Sequence, residues 1–277
     1  MSSYYNNNYY YLTPGSYTTK LYKWSEDEMY LLSNMISQFL HVSIYPKITP
    51  RLVCVSKTKP VSLIIQAYDA GQRHFGENYA NELNEKANDA QILEKCKDIK
   101  WHFIGHLQTN KLNKVISCPG LSMIETIHSQ KLANLLNKQW PAHAKDEEKL
   151  KVMIQVNTIK NGVEPSDVSE LAIHIREKCP NLLLKGLMTI GQYGFDCTHG
   201  INPDFVSLGK CREIVCAELN LNIADLELSM GMSSDFEHAI ELGSTNIRVG
   251  STIFGARRRK TYFFPICCVD MLGLIVL

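Results

Sequence analysis

Leu52-Val53-Cys54-Val55-Ser56-Lys57-Thr58-Lys59-Pro60 is a short apolar run that ends in a lysine and opens onto a helix. Its first four residues are rich in β-branched side chains and too few to complete a helical period, so they read as a strand. Pro60 suits the first turn of a helix, because that turn leaves its N–H groups unpaired in any case. The helix expected over 61–70 stops at Gly71, a residue fitted to the left-handed position after a helix. Side chains alternate along a strand, so Lys57 shares a face with Val53 and Val55. If the valines enter a core, the lysine rises from it into the loops above, where an amine is a candidate for Schiff-base chemistry.

The same strand-then-helix pattern repeats along the chain. Strands are expected at 52–56, 73–75, 101–104, 121–125, 151–157, 184–189, 226–230 and 245–249. Helices are expected at 61–70, 78–90, 108–116, 129–139, 166–178, 205–219 and 234–242, after a first helix over 26–41. Such alternation implies parallel strands with crossover helices. Eight strands in a chain of 277 residues predict an α/β fold, a single (β/α)8 TIM barrel. The alternative, an open doubly wound sheet, wants a Gly-x-Gly-x-x-Gly turn after its first strand, where this chain has Lys57-Thr58-Lys59-Pro60.

A barrel gathers its chemistry at the carboxyl ends of its strands, with phosphate sites recurring after strands seven and eight. Here those ends read Ser229-Met230-Gly231-Met232-Ser233-Ser234-Asp235 and Arg248-Val249-Gly250-Ser251-Thr252. Glycine and serine let backbone N–H groups approach an anion, and Ser234 with Glu237 fits a capping box. The plainer reading makes Ser234 a cap and Gly231 a turn. Glu77-Asn78 and His102 to His106 lie at the exits of strands two and three, and Glu125 closes strand four. His102 is either packed in the barrel wall or a ligand contact; Glu77 and Glu125 are either hydrogen-bond anchors or an acid–base pair. No set of three His or carboxylate residues has catalytic metal spacing, and Cys211 and Cys216 do not share a helix face.

Composition narrows the class. A formal charge of +1 gives no electrostatic footprint for nucleic acid. Nine cysteines without a C-x-x-C, and no secretory signal, predict a reducing compartment: cytoplasm, with a mitochondrial fraction allowed. Residues 1–24 are expected to form a Tyr/Asn/Ser-rich disordered segment, residues 25–256 the barrel, and residues 257–277 a basic then apolar tail. That tail contains Asp270 and falls short of a spanning helix, so no membrane is expected. The chain shows no obvious interface stripe, which predicts a monomer.

A lysine on the lip of strand one and an anion cradle on strands seven and eight are neighbours once the barrel closes. An aldehyde cofactor carrying a phosphate needs that combination, and pyridoxal 5′-phosphate is the natural candidate. Arg248, on the face of Gly250, is placed to meet a pyridine nitrogen and keep it unprotonated, which weakens the ring as an electron sink.

Six ordered motifs then carry a resemblance: Val55-Ser56-Lys57-Thr58-Lys59-Pro60, Gly71 to Tyr79, Lys100 to Gln108, Gly186 to Gly191, Glu227 to Phe236 and Gly243 to Gly255. From about Pro50 to Ala256 the chain resembles the pyridoxal phosphate homeostasis protein family. The resemblance implies a barrel like the amino-terminal domain of alanine racemase, with the cofactor carried as an aldimine on Lys57. It implies phosphate held by Ser233, Gly250 and Ser251, with Asn78 and Arg248 near the ring. It also implies a role in buffering the cofactor and delivering it to pyridoxal phosphate-dependent apoenzymes, without an established reaction. The segment Asn157 to Gly162 looks shorter than the family's loop.

Two rivals stand beside the carrier. A racemase of this barrel type needs a second, mostly β domain, and fewer than thirty residues follow strand eight. A barrel for another phosphate compound would use Lys57 as a point charge only. Lys59 is the nearby competitor, read here as a solvated charge at the helix entrance.

Overall fold

In the computed structural model, residues 50–144, 148–158, 162–192, 194–196 and 200–255 are described. The expected terminal segment 1–24, the helix over 26–41 and the tail 257–277 lie outside them. The strands are β1 (Arg51–Val55), β2 (His74–Glu77), β3 (Lys100–Phe103), β4 (Leu121–Ile127), β5 (Leu150–Gln155), β6 (Leu182–Met188), β7 (Glu227–Ser229) and β8 (Asn246–Val249). They pair in sequence order into a closed barrel, and every pair is parallel.

Helices α1 (Val61–Asp69), α2 (Ala80–Ala87), α3 (Ala90–Lys95), α4 (Leu112–Ile116), α5 (Gln130–Gln139), α6 (Val168–Lys178), α7 (Pro203–Leu219), α8 (Phe236–Glu241) and α9 (Ser251–Phe254) follow the strands. The helix expected over 78–90 is two, because Asp89 caps α3 by accepting from the Gln91 N–H. The end of α1 follows the sequence closely. Gly71 sits at φ 99°, its N–H donates to Tyr68 O, and the Gln72 N–H donates to Ala67 O. Those two bonds satisfy helix carbonyls that would otherwise face no donor.

Alternation sorts each strand into two faces. Leu52 and Cys54, with Trp101, Phe103, Ile124, Val152, Ile154, Leu187, Leu228, Ile247 and Val249, pack outward against the helices in one large core. The inward set contains Val53, a separate trio of Met123, Met153 and Met188, and a group of buried polar residues: His102, Glu125, Ser229, Asn246 and Arg248. Barrel interiors are ordinarily layered with branched apolar side chains. This one is polar through its middle.

Register fixes what lies beside what. Val53 pairs with Arg248, Gly76 with His102, and Met188 with Ser229. Where backbones pass closest, only glycine fits: a Cβ on Gly105 would stand 1.9 Å from Asn78 O. Gly209, inside α7, has nothing within 4 Å of such a Cβ. Gly105→Ala is therefore expected to lower urea-unfolding stability by more than about 2 kcal/mol, while Gly209→Ala raises it by about 0.5–1 kcal/mol. Equal effects of the two changes would contradict the packing described.

Candidate functional site

Beyond β1 the chain makes a tight turn, with the Lys59 N–H donating to Ser56 O at 3.0 Å. Thr58, the third residue of that turn, lies at φ 64°, a conformation that disfavours a β-branched side chain. A polar clamp from β2 and α2 holds it there. Lys86 Nζ donates to Ser56 O, Glu77 Oε1 and Glu82 Oε1, each at 2.7 Å. Ser56 Oγ donates to Glu77 Oε1 at 2.7 Å, and the Thr58 N–H donates to Glu82 Oε1 at 2.5 Å. Burial pushes the Glu77 carboxyl above its ordinary range, and Lys86 and Ser56 draw it only partly back. Lys57 is half-buried at the crest of this turn.

Lys59 is not a solvated charge. Its Nζ donates to Phe254 O at 2.7 Å and Gly255 O at 2.9 Å, satisfying carbonyls at the end of α9. The turn that bears Lys57 is thereby tied to the end of the last described helix.

The ends of β7 and β8 meet next to that turn. The Gly250 N–H donates to Ser233 Oγ at 3.1 Å, and a Cβ on Gly250 would stand 3.3 Å from Val55 O. So Ser233 and Gly250 converge beside the end of β1, and Ser251, exposed, opens α9. The capping box on Ser234 does not form. Helix α8 begins one residue later, with Asp235 at its N-cap and Asp235 Oδ1 accepting from the Met232 N–H at 2.6 Å. The Asp235 side chain is spent on that upstream N–H, so neither Ser234 nor Asp235 caps α8 with its side chain.

Arg248 lies below this rim, buried in the barrel. Its NH1 donates to Ser229 Oγ at 2.6 Å and its NH2 to Thr189 O at 2.7 Å. Ser229 Oγ donates to Glu125 Oε2 at 2.6 Å and accepts from Asn246 Nδ2 at 2.9 Å. The other carboxylate oxygen, Glu125 Oε1, takes the His102 Nδ1–H at 2.6 Å. Burial, the largest single influence, pushes the Glu125 carboxyl up, but His102, Arg248 and Ser229 together outweigh it and leave it below its ordinary range. His102 is thus a satisfied wall residue, and Glu77 and Glu125 are anchors in separate networks.

The sequence matches the family described as alanine racemase, N-terminal domain, over residues 42–258. It is 54% identical over 216 residues to the pyridoxal phosphate homeostasis protein of Homo sapiens, covering 76% of this chain and 78% of that one. The Caenorhabditis elegans protein of the same name is 45% identical over 214 residues, covering 76% of this chain and 87% of its own. The chain belongs to the pyridoxal phosphate homeostasis protein family. Among solved structures, PipY of Synechococcus elongatus with PLP bound superposes with a TM-score of 0.66 at 31% identity, covering 81% of this chain and all of PipY. An alanine racemase of Clostridium difficile 630, at 14% identity and a TM-score of 0.62, covers 85% of this chain and 58% of its own and shares the barrel alone.

Within this homeostasis-protein barrel, Asn78 is the first residue past β2. It lines a cavity of about 390 Å³ with Tyr79, Asn81, Gly105, His106, Gln108 and Lys111, and its Oδ1 is buried without a hydrogen-bond partner. The segment Asn157 to Gly162 is partly described: Asn157 N–H donates to Val163 O at 2.7 Å, and Thr158 Oγ1 meets Thr189 Oγ1 at 2.8 Å. Lys86 and Glu82 had no sequence signal, since they sit on a polar helix whose role appears only when α2 packs beside the turn. Ser229 and Asn246 were readable only as strand residues.

Lys86 is the keystone of the clamp. Lys86→Ala leaves the fully buried Glu77 side chain with Ser56 alone, and a buried pair broken on one side costs about 3–5 kcal/mol. The folded pKa of Glu77 then rises further above its unfolded value, so the folded state holds the proton more tightly. Urea midpoints of the variant should be highest at acid pH and decline as pH rises above the ordinary carboxylate range. A variant as stable as the parent at pH 7 would refute the clamp.

Proposed function

We propose that this protein binds pyridoxal 5′-phosphate at the mouth of its barrel, with Lys57 as the amine that holds it covalently. The carrying observation is the contact of the two strand ends: Gly250 packs on Val55 O, two residues before Lys57, while its N–H lies on Ser233 Oγ. An amine and an anion cradle are therefore adjacent.

The residues present fit that group. The Ser233 and Ser251 hydroxyls offer donors suited to a phosphate, and Gly250, whose N–H orients the Ser233 hydroxyl, completes the cradle. Arg248, buried and fixed on Ser229 and Thr189, offers a guanidinium to the ring nitrogen from below. Asn78 has a buried Oδ1 that lacks a partner, an atom open to a ligand donor. Bound pyridoxal phosphate supplies an aldehyde with which an amine condenses reversibly, losing one water. Lys57 contributes that amine, and the clamp of Glu77, Glu82 and Lys86 keeps its turn in place. An arginine against the ring nitrogen cannot give up its proton, so it favours holding the cofactor over carbanion chemistry.

We read the protein as a carrier in vitamin B6 homeostasis, without turnover of its own, that hands cofactor to pyridoxal phosphate-dependent apoenzymes. The names of its relatives and the PLP-bound PipY structure support this reading. The working unit is the barrel within residues 25–256, flanked by segments 1–24 and 257–277, and acts as a monomer. Its place is the cytoplasm, with a mitochondrial fraction; among the described residues no helix is long and apolar enough to cross a membrane.

Mixing the protein with pyridoxal phosphate should give a visible absorption band that is absent in Lys57→Ala. A phosphate barrel using Lys57 as a point charge would give no such band in either protein. Replacing Ser233 and Ser251 together by Ala should weaken cofactor affinity by about 3 kcal/mol, roughly two decades in Kd, the order expected for two charge-assisted hydrogen bonds. Unchanged retention by the double variant would place the phosphate elsewhere.

A further inference from the structure

A buried guanidinium needs counter-charge; the carboxylates that act on Arg248 are Glu125 first and Asp235 second, and neither accepts its hydrogen bonds directly. Its NH1 and NH2 donate to a hydroxyl and a carbonyl, Ser229 Oγ and Thr189 O. Ser229 has one proton and two lone pairs, and its three neighbours use all of them. Glu125 Oε2, a carboxylate oxygen, accepts the proton at 2.6 Å; Arg248 and Asn246 donate to the lone pairs at 2.6 and 2.9 Å. The chain of bonds can therefore run in one direction only, from guanidinium to hydroxyl to carboxylate.

The carboxylate end is locked as well. Glu125 Oε1 accepts from His102 Nδ1 at 2.6 Å, and Asn246 Nδ2 spans both oxygens at 3.2 and 3.3 Å. Behind Asn246, Arg51 donates to its Oδ1 at 3.3 Å and pairs with Glu227 at 2.7 Å, which fixes the amide's orientation. His102 Nε2 lies 2.9 Å from His74 Nδ1, so the network continues to a half-buried ring at the start of β2. Burial, helped by the charges of His102 and Arg51, pushes His74 down to about 3, so it is a neutral partner. Every member from His102 to Arg248 is at most 4% exposed.

We propose that Glu125 is a positioning residue of the cofactor site: through the Ser229 hydroxyl its carboxylate neutralises Arg248 and fixes the plane in which the guanidinium meets the cofactor. The proposal rests on the reading that pyridoxal phosphate sits over Arg248. Glu125 touches neither the cofactor nor Lys57 in this scheme; it acts only through Ser229 and Arg248. Ser229→Ala cuts the connection and leaves both charges in place. Glu125→Gln removes the charge and keeps the shape.

Two readouts on the full chain test this. The first needs no cofactor: NMR of the Arg248 side chain, assigned by its loss in Arg248→Lys. A guanidinium held at both Nη atoms shows slow rotation and separate Nη proton signals, and these should merge in Glu125→Gln and in Ser229→Ala. The second is pyridoxal phosphate affinity with the position of the visible band. Each single variant should bind about tenfold more weakly or worse, with a shifted band, the order expected for a lost charged hydrogen bond. In an Arg248→Lys background the same changes should add little, because an effect transmitted through Arg248 is non-additive with its replacement. Additive losses, or an unmoved band and affinity, would overturn the proposal, as would Nη signals that stay separate. If Glu125→Gln does not fold, Ser229→Ala decides alone. Should the parent protein bind no pyridoxal phosphate, the proposed function fails, while the cofactor-free signals still decide whether Glu125 holds Arg248.

Discussion

One buried charge pair, Arg248 and Glu125 joined by the Ser229 hydroxyl, organises the inside of this barrel. Separating a guanidinium and a carboxylate from water is expensive, and their attraction offsets it only when further hydrogen bonds satisfy the remaining donors and acceptors. Here His102, Asn246 and the Thr189 carbonyl supply them. The apolar contribution to stability comes from the other face of each strand, where Trp101, Phe75 and Phe103 are fully buried, and from helix residues such as Phe205 that pack in the same core. The sheet is thus apolar outward and polar inward, and the polar side leads up to the strand ends, where Ser233 and Gly250 meet beside Val55, two residues before Lys57.

The clamp on the lysine turn is a second arrangement of the same kind, set where β2 meets α2. Thr58 is held at a positive φ by bonds its own side chain does not make. Lys86 links the Ser56 carbonyl to Glu77 and Glu82, and Lys59 ties the turn to the end of α9. These groups fix the position of the turn that carries Lys57.

Much of the fold could be read from the chain, because strand-helix alternation is a local signal. All eight strands lie within a few residues of where periodicity puts them, and the Gly71 helix stop lies where the residue type requires. Contacts between distant elements could not be read. Glu125 and Ser229 are 104 residues apart, and only barrel closure reveals that they share a hydrogen bond. Lys59 looked like a surface charge because its acceptors, Phe254 O and Gly255 O, are 195 and 196 residues away. Ser234 failed as a cap by one residue, a scale on which local propensity does not discriminate.

Lys57 remains the residue on which the functional account turns, and its neighbour Lys59 is already committed to the α9 carbonyls. Borohydride reduction of the cofactor-loaded protein, followed by peptide mapping, distinguishes the two directly. The account predicts one pyridoxyl group per chain, on Lys57. Label on Lys59, or no label at all, would contradict it.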